Sequence, residues 1–218
     1  MILYVYCAGG FGKEIMDVAR RKNKITQQWT KIKYIDDVLM EKTKYGAQVV
    51  KFIELIHAVD HNEFEFIIAN GEPHVRKNIY EKLIRNDFKF GKLVDVSTMV
   101  ADTANIADGV IVTPMCSISS DAKLLRNSCV NTMSIIGHDV VIGENTVISS
   151  MVNMGGACTV GENSYVGMGA LVKEGVKIGS NSIIGMGSVV YNDVPDDVIA
   201  LGNPARVVRK NTDQKVFK

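Results

Sequence analysis

Residues 136–172 read IGHDVV IGENTV ISSMVN MGGACT VGENSY VGMGAL V, and the six-residue register of this stretch decides the fold of the second half of the chain. Extended both ways, the same register places Val, Ile, Leu or Met at every sixth residue from Val94 to Val190. A helix repeats every 3.6 residues and a strand every 2, so a period of six marks an internal repeat. Four residues after each aliphatic position comes a small residue, from Thr98 through Cys116, Ser134, Cys158 and Ala170 to Val194. This is the hexapeptide pattern of a parallel β-helix.

Each hexapeptide supplies one short strand whose large aliphatic side chain points into a narrow interior. The position four on also faces inward, where only a small side chain fits. Between them the chain turns a corner that favours residues tolerant of left-handed dihedrals. Asn127, Asp139, Asn145, Asn163, Gly169, Gly175, Asn181, Gly187 and Asp193 all occupy that corner. Glycine follows the aliphatic residue at 137, 143, 155, 161, 167, 179 and 185. Three levels of pattern agree, as a foldable sequence requires.

The repeat leaves residues 1–93 as a separate N-terminal unit and 94–218 as the β-helix with a C-terminal tail. Twenty-five Lys plus Arg against 24 Asp plus Glu nearly cancel, so nucleic acid is not an expected partner. No apolar run approaches the roughly 18 residues of a membrane span, and Met1–Tyr6 leads into a glycine loop rather than a signal peptide. The expectation is a cytoplasmic protein. Cys7, Cys116, Cys129 and Cys158 lack C-x-x-C spacing, and Cys116 and Cys158 fall in the small inward column, as buried hydrophobes.

In the N-terminal unit, strand Ile2–Cys7 runs into Ala8-Gly9-Gly10-Phe11-Gly12-Lys13 and a helix over Glu14–Arg21. Strand Ile32–Ile35 ends at Asp36-Asp37. Strand Phe64–Ala69 ends at Asn70-Gly71, before a helix from Val75 to about Arg85. Alternating strands and helices predict a Rossmann-like α/β sheet with ligands at the carboxyl ends of its strands. The dinucleotide fingerprint is incomplete, because Cys7 stands where the first glycine belongs. A tight turn at a helix N-terminus can still hold a diphosphate, and Asp36 can meet a ribose or a base. The alternative is a strand-to-helix turn without a ligand.

His138 is the one histidine in the repeat; His57, His61 and His74 precede it, and surface solvation accounts for them. His138 sits beside a corner and should point outward, where an imidazole can act as a general base and adjacent Asp139 can orient it. If three hexapeptides make one coil, residues 18 apart stack, which puts Gly156 over His138. A glycine there removes a side chain and bares an N–H, the requirement of an oxyanion hole.

These features together resemble the bacterial sugar acyltransferases of the sialic acid O-acetyltransferase and UDP-4-amino-sugar N-acetyltransferase family (NeuD-like, PglD-like). The resemblance rests on Ala8 through Glu14, Asp36-Asp37, Ile67-Ile68-Ala69-Asn70-Gly71 with Arg76, Asn131-Thr132, Gly137-His138-Asp139 and Gly202-Asn203-Pro204-Ala205, and covers roughly 2–209. It implies a left-handed β-helix, a homotrimer with active sites between subunits, acetyl-CoA as donor and a nucleotide-linked amino sugar as acceptor. It implies further that His138 is the base and Asp139 its orienting partner, where many relatives carry Glu. Asn131 would line the sugar site and the Gly156 N–H would receive the acetyl oxygen. Met168, Gly169, Gly187, Pro204 and Ala205 would form the coenzyme groove. Arg206, Arg209, Lys210, Lys215 and Lys218 in the tail could meet its phosphates, and the last two equally fit a solvated tail. Gly9, Gly10, Phe11, Gly12, Lys13, Asp36, Asp37 and Asn70 would hold the sugar nucleotide, UDP- or dTDP-linked.

The expected reaction is N-acetylation of a 4-amino group; the alternative is O-acetylation of a sugar or sialic acid hydroxyl, which needs the same base and donor. A zinc enzyme of the γ-carbonic anhydrase type, which shares the β-helix, needs three converging histidines, and one histidine in the repeat cannot supply them; no metal is expected. A non-catalytic nucleotide-sugar-binding or scaffolding trimer would be favoured by a buried His138 or by the absence of a groove between subunits.

Overall fold

The computed structural model describes residues 1–56 and 63–217; His57 and His61 lie outside the described residues. The chain begins with β1 (Ile2–Tyr6), α1 (Gly10–Thr26), β2 (Lys31–Ile35), β3 (Thr43–Lys44), β4 (Ala47–Val50), α2 (Phe52–Ile56), β5 (Phe64–Ile68) and α3 (Pro73–Ile84). The sheet order is β3-β4-β2-β1-β5, parallel apart from the β3–β4 hairpin. This is the expected Rossmann-like α/β unit. Helix α1 is longer than the expected Glu14–Arg21 because it starts at the glycine loop itself. The β3–β4 hairpin and α2 lie outside the sequence expectation, since elements of two to five residues carry almost no periodicity.

From Leu93 the chain winds as a left-handed parallel β-helix with three flat faces. Face one stacks Leu93–Val94, Ile111–Val112, Cys129–Val130, Val147–Ile148, Tyr165–Val166 and Ile183–Ile184. Face two stacks Met99–Val100 through Val189–Val190, and face three Asn105–Ile106 through Lys177–Ile178. Partners are 18 residues apart, as Ile136 with Met154, so three hexapeptides make one coil. The large aliphatic column is buried from Val112 to Val190. Val100 departs from it, 38% exposed at the open first coil. Most hydroxyls in the small column bond across coils, as Ser134 Oγ donating to Ser149 O at 2.9 Å and Thr146 Oγ1 to Gly161 O at 2.6 Å, whereas the buried Ser128 Oγ finds no partner among the described residues.

Every corner residue from Gly109 to Gly187 has a positive φ, including Asp139 (59°), Met151 (59°) and Gly169 (68°). Asp193, expected at the same corner, does not: its carboxylate accepts from the Lys177 N–H at 2.8 Å as the chain leaves the repeat. The glycines after the aliphatic residues are required by contact between coils. A Cβ on Gly143 would lie 2.5 Å from the backbone of Gly161. Beyond the last coil, the hairpin Val198–Gly202 and Ala205–Lys210 extends face one.

The two units share a core. Leu93, Ile111, Cys129 and Val147, on the outside of face one, pack with Leu3, Val5, Ile15 and Ala19 of β1 and α1. At the seam, Arg21 Nε donates to Asp95 Oδ2 at 2.9 Å. Burial opposes the Asp95 charge, but the hydroxyl and N–H of Ser97 and the Arg21 guanidinium outweigh it and hold the carboxyl below its ordinary range.

Candidate active site

His138 lies on the edge between faces two and three. The hexapeptide corner turns it outward, with 61% of its side chain exposed. Its Nδ1 is 2.9 Å from Asp139 Oδ2. That hydrogen bond is the main reason the imidazole pKa stands above its ordinary value, helped by the charges of Asp139 and Glu174. With Nδ1 directed at the carboxylate, Nε2 is left to exchange a proton with a ligand. Ser120, His138, Gly156 and Glu174 fall in one column: Asp139 N–H donates to Ser120 O, Ala157 N–H to His138 O and Gly175 N–H to Gly156 O. A Cβ on Gly156 would sit 2.3 Å from His138 Nε2. Only glycine leaves the imidazole its place, and the Gly156 N–H donates to no acceptor among the described residues.

Asn131, Met168, Gly169 and Gly187 occupy a different edge, between faces one and two. Met168 is 53% exposed, and the missing Cβ atoms of Gly169 and Gly187 face open space. Asn131 is half-buried, its Oδ1 accepting from Cys129 Sγ at 3.4 Å. Within one chain these residues are thus separated from His138 by the width of face two. Pro204 and Ala205 lie in the C-terminal hairpin turn, with exposed Arg206, Arg209 and Lys210 behind them. Lys215 is exposed in the tail, and Lys218 lies outside the described residues.

At the carboxyl ends of β1, β2 and β5 are two adjoining cavities. One, of about 330 Å³, is lined by Gly9, Gly10, Lys13, Asp36, Leu39 and Lys44. The other, of about 520 Å³, is lined by Tyr6, Cys7, Asp37, Asn70, Asn78 and Lys82, among others. Helix α1 starts at the glycine loop with no side-chain cap and no acidic residue in its first turn, leaving N–H groups available to an anion.

Two of the expected ligand residues also carry packing. Phe11 packs on the core shared with the coil. Gly12 is buried, where a Cβ would meet Cys7 O at 2.2 Å. The aspartates line the cavities with their oxygens already engaged. Asp36 accepts from the N–H groups of Ala8, Val38 and Leu39 at 2.9–3.0 Å. Asp37 accepts from Tyr6 Oη at 2.6 Å, Lys82 Nζ at 2.8 Å and Phe52 N–H at 2.8 Å. Burial raises both carboxyls, yet these donors outweigh it and hold them below the usual range. Asp36 shapes the glycine loop, and Asp37 anchors the Lys82 ammonium. Sequence reasoning missed Lys82 and Asn78. The signal was present in Val75, Asn78, Ile79 and Lys82, one helical face of α3 turned to the strand ends.

Residues 2–83 match the PglD N-terminal domain, and residues 157–192 match the bacterial transferase hexapeptide (six repeats). The acetyltransferase domain of PglB from Neisseria gonorrhoeae FA1090 has a TM-score of 0.89 at 26% identity, over 95% of this chain and 99% of that one. It is also known in complex with acetyl coenzyme A. WeeI from Acinetobacter baumannii AYE is 29% identical with a TM-score of 0.86, over 95% of this chain and 100% of that one. PerB from Caulobacter crescentus, solved with CoA and GDP-perosamine, shares the fold at 24% identity and TM-score 0.86, over 95% and 97% of the two chains. Among the described residues there is no cluster of metal-ligating side chains and no helix long and apolar enough to cross a membrane. With a match to the PglD N-terminal domain ahead of hexapeptide-transferase repeats, the chain is an acyltransferase, similar along its length to the acetyltransferase domain of PglB.

Proposed function

We propose that the protein transfers the acetyl group of acetyl-CoA to the 4-amino group of a nucleotide-linked amino-deoxy sugar. The observation that carries this reading is the His138–Asp139 pair at 2.9 Å beneath a glycine whose N–H has no acceptor among the described residues. Asp139 holds Nδ1 and leaves Nε2 to accept a proton from the sugar amine. As the amine nitrogen attacks the thioester carbon, a C–N bond forms and the carbonyl oxygen gains negative charge, which the Gly156 N–H is placed to receive. The C–S bond then breaks, and the imidazolium returns its proton to the departing thiolate.

The strand-end cavities would hold the nucleotide, with the diphosphate at the start of α1 beside Lys13. An acetyl-CoA complex of the similar PglB domain supports the donor. The coenzyme residues Met168, Gly169 and Gly187 lie across face two from His138, and a neighbouring copy would bring the two edges together in a homotrimer. Face two supports this arrangement, because Met99 (70%), Ile135 (45%) and Leu171 (48%) expose apolar side chains on it. We place the division of the chain near residue 93, where the first strand of the coil begins, and the enzyme in the cytoplasm, where acetyl-CoA and sugar nucleotides are held.

The test incubates the protein with acetyl-CoA and UDP-, dTDP- and GDP-linked 4-amino-4,6-dideoxy sugars, following thiol release and product mass. One of them should gain an acetyl group that survives mild alkali, as an amide does. An alkali-labile product would assign O-acetylation, and no thiol release with any sugar would overturn the reading.

A further inference from the structure

Arg76, on α3, is wholly buried, yet no carboxylate pairs with it among the described residues. Burying a charge costs heavily unless every donor finds a partner. Here all the partners are carbonyl oxygens, and they come from two sources. Nη1 donates to Ile68 O at 2.5 Å, at the end of β5, and to Asn70 O at 3.2 Å, in the loop that lines the larger strand-end cavity. Nε and Nη2 donate to Asn127 O at 3.1 and 2.6 Å, and Nη2 also to Asn127 Oδ1 at 2.9 Å, on the coil. The grip is reciprocal: Asn127 Nδ2 lies 3.3 Å from Arg76 O.

Asn127 is the first rung of a ladder along the edge between faces three and one. Its Nδ2 donates to Asn145 Oδ1 at 2.8 Å, Asn145 to Asn163 at 3.0 Å, Asn163 to Asn181 at 3.3 Å and Asn181 to Asp197 Oδ1 at 3.0 Å. All the amides point the same way, with a cation at the accepting end and a carboxylate at the donating end, an order that polarises each bond in the same sense. The cavity loop is held from its other side as well. Glu72 accepts from the N–H groups of Val216 and Phe217 at 2.9 and 2.6 Å, and the Phe217 ring stands edge-on to Tyr165 of the coil.

We propose that Arg76 is a positioning residue for the sugar-nucleotide pocket, its guanidinium tying the loop that carries Asn70 to the first rung of the asparagine ladder. The coil that bears His138 thereby sets the shape of a cavity made by the N-terminal strands. This inference rests on the function proposed above.

The experiment measures the affinities of UDP, dTDP, GDP and CoA by calorimetry in the wild type, Arg76→Lys and Asn127→Gly, with melting temperatures alongside. Arg76→Lys keeps the charge but cannot span both sets of carbonyls. Asn127→Gly removes the amide and tolerates the local φ of 55°, so it carries the test should the lysine variant fail to fold. Both variants should bind the preferred nucleotide about three- to tenfold more weakly, the worth of one lost hydrogen bond, with CoA affinity unchanged. With an accepted sugar nucleotide, KM should rise by the same factor while kcat holds. Unchanged nucleotide affinity, or equal losses for nucleotide and CoA, would overturn the inference alone. A wild type that binds no nucleotide would overturn the functional reading, and the inference with it.

Discussion

His138 and Asp139 share one hydrogen bond, and its removal separates positioning from proton transfer. If His138 is the base, His138→Ala should lower kcat by about 10²- to 10⁴-fold while the affinity for acetyl-CoA persists, checked by titration calorimetry. The imidazole pKa is raised chiefly by Asp139, so the wild type should lose kcat/KM as pH falls through a value above the ordinary 6.5 of histidine. Asp139→Asn removes the group that favours the imidazolium. Its acid limb should move to lower pH, and its plateau should fall without vanishing. Gly156→Val should lower kcat while leaving the melting temperature within a few degrees. The new side chain meets the exposed imidazole rather than backbone, and Gly156 has no left-handed φ that a side chain would strain. An unfolded Gly156→Val would contradict the outward placement of that column.

At the level of the hexapeptide, two kinds of tight position make different demands. Val160 is 2% exposed, and Val160→Asp should cost about 4 kcal/mol or more through a buried, unpaired charge. Gly143→Ala forces a methyl against the next coil's backbone and should cost about 1–3 kcal/mol, as overpacking does. Urea denaturation of both variants checks the order. The coil was legible because one environment recurs at each sixth residue, so every hexapeptide repeats the same message. Met115, Met133, Met151 and Ala157 escaped the corner reading because those residue types disfavour the left-handed region that the coil imposes on them. Arg76 was visible only as one residue of a motif. Its partner on the coil is Asn127, 51 residues away and gripped mainly at its main-chain oxygen, and no side-chain pattern announces a carbonyl.

For the assembled protein, the exposed apolar side chains of face two predict a closed trimer, because threefold symmetry lets each copy cover its neighbour's face. Light scattering at micromolar concentration should return three times the chain mass of 23.9 kDa; a monomer would contradict it. The alignment of Gly156 with His138 was readable from sequence once residues 18 apart were stacked, whereas the proposed coenzyme edge lies on the far side of face two and would meet His138 only across another copy. The strand-end cavities were half legible. Asp36 and Asp37 stood out as charged residues after a strand, but their engagement with N–H groups, Tyr6 and Lys82 depends on loops whose course no periodicity encodes.

The seam between β1, α1 and face one bears on how such proteins can be recombined. Ile111, Cys129 and Val147 belong to the coil by sequence, Leu93 joins its first strand, and all four belong to the N-terminal core by contact. Grafting a foreign nucleotide-binding half onto these repeats, to change the base accepted, would therefore set one hydrophobic surface against another that was never shaped for it. A chimera cut at residue 93 should be recovered largely as aggregate. One that also carries the donor's residues at 93, 111, 129 and 147, together with the partners of Arg76 and Arg21, should remain dispersed. The unit of inheritance is the first half together with the wall it leans on.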